Sequence, residues 1–442
     1  MTHPGEPVLR PDYSRLVLRP FVPTAERVQT IFDRITALSA EEIHHELEQV
    51  ISLFSADHGD FVERIKEHYR MAKRCLNDEH IPDLPAEHPA SPSEGRVLLS
   101  AEARLLAGAY FTSEYAFEAT ALFNPSIVQA PEQSITANLH AAELPATELR
   151  FILSARSVGE GHVSSISFRT GAIDRAGKIR IDPVRNTAVR GKQKYKNGIA
   201  EITFRKEIPL SERLLFPVSP DERNGMEDAR FVRFVNDDKT ICYYATYTAY
   251  DGKNILPKLI GTTDFLRFNM QRLSGAMALN KGMALFPRKL NGRYAMLSRV
   301  DGESLFIMFS NDLYTWDHAE KIAAPRSPWE FMQIGNCGSP IELDEGWLVL
   351  THSVGSLRRY SIGALLLDKT DPAKVIGRLA EPLLSPGERE RTGYVPNVVY
   401  TCGSIVHEGK LIIPYGSADF SIAFITVETA ELVKKLQNYY QT

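Results

Sequence analysis

The chain has 442 residues, of which 43% are hydrophobic, and its formal net charge at pH 7 is −4. This length fits one large domain with a smaller appendage, and the hydrophobic content is enough for a sizeable core. Acidic and basic residues are mixed along the chain, without the polybasic arm that binds nucleic acid or an anionic membrane surface. No stretch approaches about 18 consecutive apolar residues, so we expect no membrane span.

The first 20 residues and the cysteines indicate the compartment. Proline and charge interrupt residues 1–20, which therefore lack the apolar core of a signal peptide. The four cysteines are isolated, without the close spacing of a zinc site or a disulfide framework, at Cys75, Cys242, Cys337 and Cys402. These features predict a cytoplasmic protein with reduced cysteines and no metal site.

Residues 24–76 have the pattern of amphipathic helices. Thr24 precedes apolar residues at helical spacing, and residues 60–75 repeat that spacing. Between them, Ser39 and Glu42 have the spacing of a capping box at the start of a second helix. Because the apolar faces of these helices need a covering surface, we expect them to pack on the main domain or to support a homo-oligomer.

Residues 77–97 are rich in proline and acidic side chains, which predicts an extended linker. We therefore divide the chain into a helical extension with its linker, residues 1–96, and a main domain, residues 97–442. In the main domain, short runs rich in β-branched and aromatic residues alternate with turn pairs, which predicts β-strands up to about residue 424. Residues 428–440 are amphipathic and predict a C-terminal helix.

A weak internal repeat indicates the architecture of these strands. Residues 262–268 resemble residues 310–316, and each segment lies between two strand-like runs. A recurrence of strand, turn and strand every 45–60 residues or so is typical of β-propeller blades. We predict an all-β fold: a five-bladed β-propeller with an N-terminal α-helical extension and a C-terminal helix.

Polar and aromatic residues stand at the ends of the predicted strands. A propeller directs such side chains from successive blades into one central funnel, and charged groups beside aromatic faces suit a polyhydroxylated ligand. The polar candidates are Asn124, Arg156, Glu227, Asp228, Arg230, Lys281, Arg299, His352 and Asp419, and the aromatic candidates are Tyr247, Tyr250, Tyr394 and Tyr415.

The same stretches, in order, resemble a known family. They are FNPSIV, GMEDARFV, YTAYDG, NKGMALFPRKLNGRYAMLSR, IGNCGSPIELDEGWLVLTHSVG, YSIGALLLDKTDPAKVIGRL, GYVPNVVY and YGSADF. Between about residues 120 and 425 the chain resembles glycoside hydrolase family 130, the β-mannoside phosphorylases and mannosidases. The resemblance implies a five-bladed propeller, inversion at the anomeric carbon, a manno-oligosaccharide substrate and no cofactor, with inorganic phosphate as a co-substrate.

The resemblance also implies roles for individual residues. Asp228 matches the general acid, which in phosphorylases of the family acts through a sugar hydroxyl. The phosphate ligands correspond to Lys281, Arg299 and His352. The residues that contact the mannosyl unit before the scissile bond correspond to Asn124, Arg156, Tyr415 and Asp419. Beside them, Glu227 either binds sugar or holds Arg230, and Tyr247 and Tyr394 are further substrate-binding candidates.

One position departs from the family pattern. Gln333 stands where the family commonly has a lysine before the glycine-rich turn, so one positive charge is missing from the expected phosphate site. Arg358 or Arg359 is a candidate to supply that charge.

Three functions stay open at this point. The first is a phosphorylase that releases α-mannose 1-phosphate from β-1,2-linked mannosides. The second is a β-mannosidase that uses water, for which a second carboxylate has to act as base. Candidates for that base are Glu303, Glu330 and Glu342. The third is a non-catalytic propeller that binds glycans. The basic segment 161–197 is either a solvated hairpin or a lid at the acceptor site or a subunit contact.

Overall fold

The computed structural model describes residues 3–76, 99–131, 133 and 148–438. Contacts divide the chain into a larger unit, Met1–Arg15, Phe117–Asn186 and Arg190–Thr442, and a smaller unit, Leu16–Ala116 and Thr187–Val189. The division differs from the predicted one. The first 15 residues belong to the larger unit, so the helices form an insertion rather than an N-terminal extension. The predicted boundary between residues 96 and 97, like the predicted linker, lies outside the described residues.

The helices agree with the predictions except for one. They are α1 (Ala25–Thr36), α2 (Ala40–Phe54), α3 (Phe61–Leu76), α4 (Ala101–Tyr110) and α5 (Thr429–Asn438). The capping box is confirmed, because the Ser39 side chain accepts from the backbone N–H of Glu42 while the Glu42 carboxylate accepts from that of Ser39. Helix α4 falls where strands were predicted. Its start is fixed by Ser100, whose hydroxyl accepts from the backbone N–H of Ala103.

In the smaller unit, α1 to α4 cover one another's apolar faces. Val28, Phe32 and Leu106 belong to one buried cluster of this unit. Helices α3 and α4 approach closely at Gly108, where an added Cβ would lie 2.0 Å from the carbonyl oxygen of Ile65. Glycine is therefore required at this crossing.

The strands are short and numerous. The first fourteen are β1 (His3–Leu9), β2 (Leu16–Pro20), β3 (Thr112–Ala116), β4 (Ala121–Gln129), β5 (Leu149–Val158), β6 (Ser164–Ile173), β7 (Ile179–Ile181), β8 (Thr187–Ala188), β9 (Lys192–Lys196), β10 (Ile199–Thr203), β11 (Leu214–Leu215), β12 (Gly225–Val235), β13 (Ile241–Tyr250) and β14 (Ile255–Thr262). The next fourteen are β15 (Arg267–Arg272), β16 (Ala284–Leu285), β17 (Tyr294–Ser298), β18 (Leu305–Ser310), β19 (Ala319–Ala323), β20 (Gln333–Asn336), β21 (Ile341–Glu342), β22 (Trp347–Val354), β23 (Tyr360–Leu367), β24 (Val375–Arg378), β25 (Val399–Tyr400), β26 (Ile405–His407), β27 (Lys410–Ser417) and β28 (Ser421–Glu428).

Within the described residues of the larger unit, five antiparallel meanders follow one another. The first two, β4-β5-β6 and β12-β13-β14-β15, share one sheet through a single parallel pair, Gly225 with Ser164. The third is β16-β17-β18-β19, the fourth β20-β22-β23-β24, and the fifth β25-β27-β28-β1. Strands β22 and β27 are buried along almost their whole length, which explains why both read as continuous apolar runs. The fold is mostly β, as predicted, while its closure into five blades stays a prediction.

The first strand completes the last meander. Strand β1 pairs antiparallel with β28, with His3 opposite Thr426 and Leu9 opposite Ile422. The sequence did not predict this strand, because its His-Pro-Gly-Glu-Pro start has the composition of a turn.

The weak repeat corresponds to one recurring turn. After β14, the Asp264 carboxylate accepts from the backbone N–H groups of Leu266 and Arg267. After β18, the Asp312 carboxylate accepts in the same way from Tyr314 and Thr315. An aspartate that bonds to backbone two and three residues ahead forms an Asx turn, so the repeat encodes the link between consecutive strands.

Two further observations concern surfaces. The basic segment 161–197 contains strands β6 to β9. Strand β9 is an edge strand of its sheet, and its lysines are exposed. Lysine on such a border discourages pairing with another chain. None of the helices in the described part of the chain combines the length and the apolar character that crossing a membrane demands.

Candidate functional site

A cavity of about 310 Å³ in the larger unit brings most of the candidate residues together. Each of the five meanders contributes lining residues, either from its strands or from the segments beside them. The lining residues are Asn124, Arg156, Asp228, Arg230, Lys281, Gly282, Arg299, Gln333, His352, Arg358, Tyr360, Val395, Val398, Tyr400 and Asp419. Cationic side chains outnumber carboxylates in this lining by five to two.

Two β-bulges direct the central pair into the cavity. In β12 the register shifts between Glu227 and Arg230, and Asp228 has a φ of 54°. In β4 the register shifts between Phe123 and Ser126, and Asn124 has a φ of 47°. A bulge re-aims a side chain, and aspartate and asparagine tolerate the left-handed conformation better than bulkier residues. The Asn124 side-chain N–H donates to the Asp228 carboxylate at 2.7 Å.

Left-handed backbone recurs around the cavity. Besides Asn124 and Asp228, positive φ angles occur at Asn280, Leu357, Arg358, Asn397, Ala418 and Asp419. Most of these residues line the cavity or adjoin a residue that does. Such conformations cost about 1–3 kcal/mol each and persist only where the surrounding structure enforces them. Their clustering here indicates a functional site, where the strained backbone is tolerated because it directs side chains into the cavity.

Glu227 bridges two cations beside Asp228. Its carboxylate accepts from Arg156 at 2.8 Å and, through the other oxygen, from Lys281 at 2.7 Å. Arg156 also lies 3.5 Å from the Asp228 carboxylate. The sequence offered sugar binding or support of Arg230 as roles for Glu227. The contacts instead assign it to Arg156 and Lys281, and it does not line the cavity.

The Asp228 carboxyl group is held ionised. Burial raises its pKa, but the charges of Arg156 and the neighbouring cations, with the hydrogen bond from Asn124, bring that pKa below the usual 3.8. At neutral pH Asp228 is therefore ionised, and it can donate a proton only after a change in its surroundings has allowed it to take one up.

Asp419 has the opposite tendency. Burial and then the charge of Asp228 raise the pKa of its carboxyl group from 3.8 to about 7, against the lowering effect of Arg156. Two carboxylates in one cavity thus differ in protonation near neutral pH, an arrangement that separates acid and base roles.

We expect Asp419→Asn to flatten the dependence of stability on pH. The raised pKa of Asp419 favours the native state fully below about pH 4, and this contribution is lost as the pH rises through about 7. Thermal melts without ligand should therefore show the variant gaining stability relative to wild type between about pH 4 and pH 8. Parallel curves for the two proteins would show that Asp419 titrates normally.

All three guanidinium nitrogens of Arg230 donate hydrogen bonds within the protein. It donates to the backbone oxygens of Cys337 at 2.7 Å and Asp228 at 2.9 Å, and to the Tyr400 hydroxyl at 2.7 Å. Its side chain is buried. Since all three nitrogens have protein partners, Arg230 fixes the bulge that holds Asp228 and adds positive charge beneath it.

Arg299 and His352 form a second contact pair. The Arg299 guanidinium donates to Nε2 of His352 at 2.8 Å, and Nδ1–H of His352 donates to the Asn336 carbonyl at 3.1 Å. Burial, and then the charges of Arg299 and Arg230, hold the pKa of His352 well below 6.5. His352 is therefore neutral and accepts from Arg299, which orients that guanidinium.

None of the four aromatic candidates, Tyr247, Tyr250, Tyr394 and Tyr415, is among the residues that line the cavity. The Tyr247 hydroxyl donates to Glu222 at 2.5 Å, and Lys258 binds the same carboxylate at 2.7 Å in the core. Tyr415 is buried in another hydrophobic cluster. Tyr394 is 42% exposed and is hydrogen-bonded to Nδ1 of His162 at 2.9 Å, next to the lining residue Val395.

Other lining residues were not predicted. Tyr360 and Tyr400 belong to the stretches YSIGALLL and GYVPNVVY, so their sequence signal was present but was not assigned to side chains. Gln333 lines the cavity, and of the two candidate arginines only Arg358 does. Arg359 instead donates to the Pro386 carbonyl at 3.1 Å.

The three glutamates considered as hydrolytic bases lie elsewhere. Glu330 is fully buried and pairs with Arg378, while Glu342 pairs with Arg288 at 2.7 Å. Glu303 is exposed and is absent from the cavity lining. The second carboxylate of the cavity is Asp419.

Comparison with known proteins agrees with the motifs. A model of the family Glyco_hydro_130, described as beta-1,4-mannooligosaccharide phosphorylase, matches residues 189–438. This range contains Asp228, Lys281 and Arg299 but not Asn124 or Arg156.

Individual relatives extend the comparison. A 1,2-beta-oligomannan phosphorylase of Thermoanaerobacter sp. (strain X514) is 33% identical over 241 residues, which cover 54% of this chain and 77% of that protein. A beta-1,4-mannooligosaccharide phosphorylase of Ruminococcus albus is 39% identical over 181 residues, which cover 38% of this chain and 54% of that protein. The solved beta-1,2-mannobiose phosphorylase of Listeria innocua, in complex with beta-1,2-mannobiose, has a TM-score of 0.51 at 20% identity and covers 72% of this chain and 92% of that chain. This last likeness shows a shared fold.

Proposed function

Because the chain belongs to glycoside hydrolase family 130, we propose that it is an inverting phosphorylase of β-mannosides that releases α-mannose 1-phosphate. Inorganic phosphate is the co-substrate in this proposal, and no other cofactor takes part. The five meanders of the larger unit are taken as the blades of a propeller around the cavity. The names of the relatives from Thermoanaerobacter and Ruminococcus support the phosphorylase assignment.

The observation that carries the proposal is the charge of the cavity. Five cationic side chains line it, against two carboxyl groups, and the pKa of one of these, Asp419, is raised to about 7. An excess of positive charge of this kind suits an anionic nucleophile, and phosphate needs no carboxylate base to activate it. Water as nucleophile would require such a base instead.

The proposed reaction assigns one step to each group. Phosphate attacks the anomeric carbon from the face opposite the scissile bond, the carbon–oxygen bond breaks, and the leaving oxygen takes a proton that originates from Asp228 and passes through a sugar hydroxyl. Since the lowered pKa of Asp228 keeps its carboxyl group ionised, it first takes up a proton as substrate binds. In the synthetic direction the ionised form serves directly, because it accepts the proton of the acceptor hydroxyl.

The contacts support different places for the sugar and the phosphate. Asn124, Arg156 and Asp419 surround Asp228, so we place the mannosyl unit there. Arg299 and His352 line the cavity with Gln333, and we place phosphate on that side, with Lys281 between the two. Arg230 holds the backbone at Asp228 in position, and Glu227 holds Arg156 and Lys281.

We propose β-1,2-linked manno-oligosaccharides as the substrates. The name of the Thermoanaerobacter relative supports this linkage, whereas that of the Ruminococcus relative specifies a β-1,4 linkage. The linkage depends on how the acceptor sugar is held, and a panel of acceptors with α-mannose 1-phosphate as donor distinguishes the two.

The proposal is tested by the dependence of turnover on phosphate. Purified enzyme is incubated with β-1,2-mannobiose with and without inorganic phosphate, and α-mannose 1-phosphate is followed by ³¹P NMR. We expect product only with phosphate, and with the α configuration. Equal release of mannose in both reactions would contradict the phosphorylase.

A hydrolase is the alternative that one observation favours. Asp419 is a second carboxylate in the cavity, and a pKa of about 7 suits a general base. In a hydrolase Asp419 would activate water and Asp228 would act as the acid. Release of free mannose without phosphate, abolished by Asp419→Asn, would identify this function.

His352→Ala is expected to raise KM for phosphate about 10-fold and to change kcat little. The substitution removes the acceptor that orients Arg299, and a hydrogen bond to a charged group contributes roughly that factor. Because His352 is neutral throughout the physiological range, wild-type KM for phosphate should show no titration of this imidazole near pH 6.5. A marked rise in phosphate affinity on acidification through that value would indicate a protonated His352 as direct ligand instead.

A further inference from the structure

The cations of the cavity differ in how far their charge is already neutralised. Arg156 and Lys281 both pair with Glu227, and Arg156 also pairs with Asp228. Arg230 is hydrogen-bonded on all three nitrogens to neutral oxygens of the protein. The charges of Arg156 and Lys281 are therefore already offset by carboxylates, and the nitrogens of Arg230 are already hydrogen-bonded within the protein.

Arg299 and Arg358 are different. In the part of the chain that the structure describes, neither forms an ion pair with a carboxylate. The neutral imidazole of His352 is the acceptor that binds Arg299, and the buried Nε–H of Arg299 has no hydrogen-bond partner. Arg358 is exposed at the cavity, with no hydrogen bond to another described residue. Among the cations of the lining, these two guanidinium groups therefore combine a charge that no described carboxylate neutralises with N–H groups that no described residue occupies.

The backbone places Arg358 beside Gln333. Gln333 pairs with Val354 at the end of the β20-β22 ladder, and the turn that contains Arg358 follows directly from that end. In this turn Leu357 and Arg358 have φ angles of 55° and 52° in succession. Two consecutive non-glycine residues in the left-handed region cost conformational energy. Strain of this kind is found at functional sites, where it positions a side chain for a ligand.

We propose that Arg358, together with Arg299, forms the binding site for the phosphate nucleophile, and that Arg358 supplies the positive charge that Gln333 lacks. This inference rests on the proposed phosphorylase function. Two guanidinium groups offer planar pairs of donors that match phosphate oxygens, which a single lysine charge does not. Lys281, between the sugar and the phosphate, then contributes less to the phosphate site because it is already paired with Glu227. The exposure of Arg358 gives phosphate its first contact as it enters.

Steady-state kinetics of Arg358→Gln test the proposal. We expect KM for phosphate to rise about 10- to 100-fold, as for the loss of one bidentate charged contact, with little change in KM for the mannoside. Arg359→Gln is the matched control, because Arg359 is the next residue, has the same charge and does not line the cavity. Equilibrium binding of inorganic phosphate, measured without mannoside, should weaken in the first variant and not in the second.

A relocated charge provides a second test. In the double variant Arg358→Gln with Gln333→Lys, the positive charge returns to the cavity from β20, and we expect most of the lost phosphate affinity to return with it. Because Arg358 is exposed and makes no hydrogen bond with another described residue, its substitution should leave the melting temperature unchanged.

Two outcomes overturn the inference, and they differ from failure of the proposed function. If wild type needs phosphate and Arg358→Gln keeps its KM for phosphate, Arg358 is not part of the site. If Arg359→Gln weakens phosphate as much as Arg358→Gln does, the effect is one of general surface charge. If wild type turns over equally without phosphate, the phosphorylase itself is wrong. In that last case, unaltered binding of inorganic phosphate to Arg358→Gln would exclude the anion site separately.

Discussion

Asp228→Asn is expected to lower kcat for phosphorolysis of β-1,2-mannobiose by about 10²- to 10⁴-fold, the usual contribution of a general acid. The amide has nearly the shape of the carboxyl group but cannot pass a proton to the leaving oxygen. Arg156 keeps its contact with Glu227 in the variant, so the fold should survive. The initial rate of α-mannose 1-phosphate formation is the measurement.

An activated substrate separates the acid role from a general loss of structure. In a dinitrophenyl β-mannoside the leaving group departs as the stable dinitrophenolate anion and needs no proton, so we expect Asp228→Asn to turn this substrate over at close to the wild-type rate. Asn124→Ala, which removes the hydrogen bond to Asp228 and leaves the carboxylate in place, should have a much smaller effect on mannobiose. Equal loss on both substrates would argue against Asp228 as the acid.

Glu227→Gln is the second change with a large expected effect, although Glu227 does not line the cavity. Its carboxylate pairs with both Arg156 and Lys281, and Gln removes the negative charge that offsets these two cations beside Asp228. The pKa of Asp228 should fall further, and both cations should shift toward it. We expect kcat/KM to fall about 100-fold, as when a site loses its alignment, and the free energy of unfolding to fall by roughly 3 kcal/mol.

The matched control is Glu342→Gln. Glu342 also binds an arginine through both oxygens, at 2.7 and 2.8 Å to Arg288, but it is half-exposed and lies outside the cavity lining. A surface pair contributes about 0–1 kcal/mol, so activity and stability should stay close to wild type. If the two variants behaved alike, the bridge at Glu227 would be an ordinary ion pair with no role in the site.

The sequence predicted features that depend on one residue type suiting a local backbone conformation or a short-range hydrogen bond. Asn124 and Asp228 were predicted as site residues, and the structure places both at bulges in the left-handed conformation that suits their side chains. The capping box at Ser39 and the turns at Asp264 and Asp312 likewise depend on short-range hydrogen bonds. Features of this kind depend on residues only a few positions apart in the chain, so the sequence can predict them.

Features that depend on distant pairing were not predictable. Tyr247 lies in a strand that is buried over most of its length, so no alternation of polar and apolar residues tells which face points to the cavity. Arg358 and Arg359 are adjacent and chemically identical, and the conformation of one turn decides which of them lines the cavity. The partners of Glu227 are more than 50 residues away in the chain, so only the folded structure reveals the bridge.

The pairing of β1 with β28 has a consequence for synthesis of the protein. His3 lies opposite Thr426, so β1 is synthesised long before its partner strand β28 exists. At about 5–20 residues per second on the ribosome, the wait is on the order of 20–80 s. During that time β1 presents unpaired N–H and C=O groups, and its prolines reduce the number of donors that a wrong partner could use. We therefore expect the same proline-rich composition that made this strand unrecognisable in the sequence to limit premature association of the nascent chain.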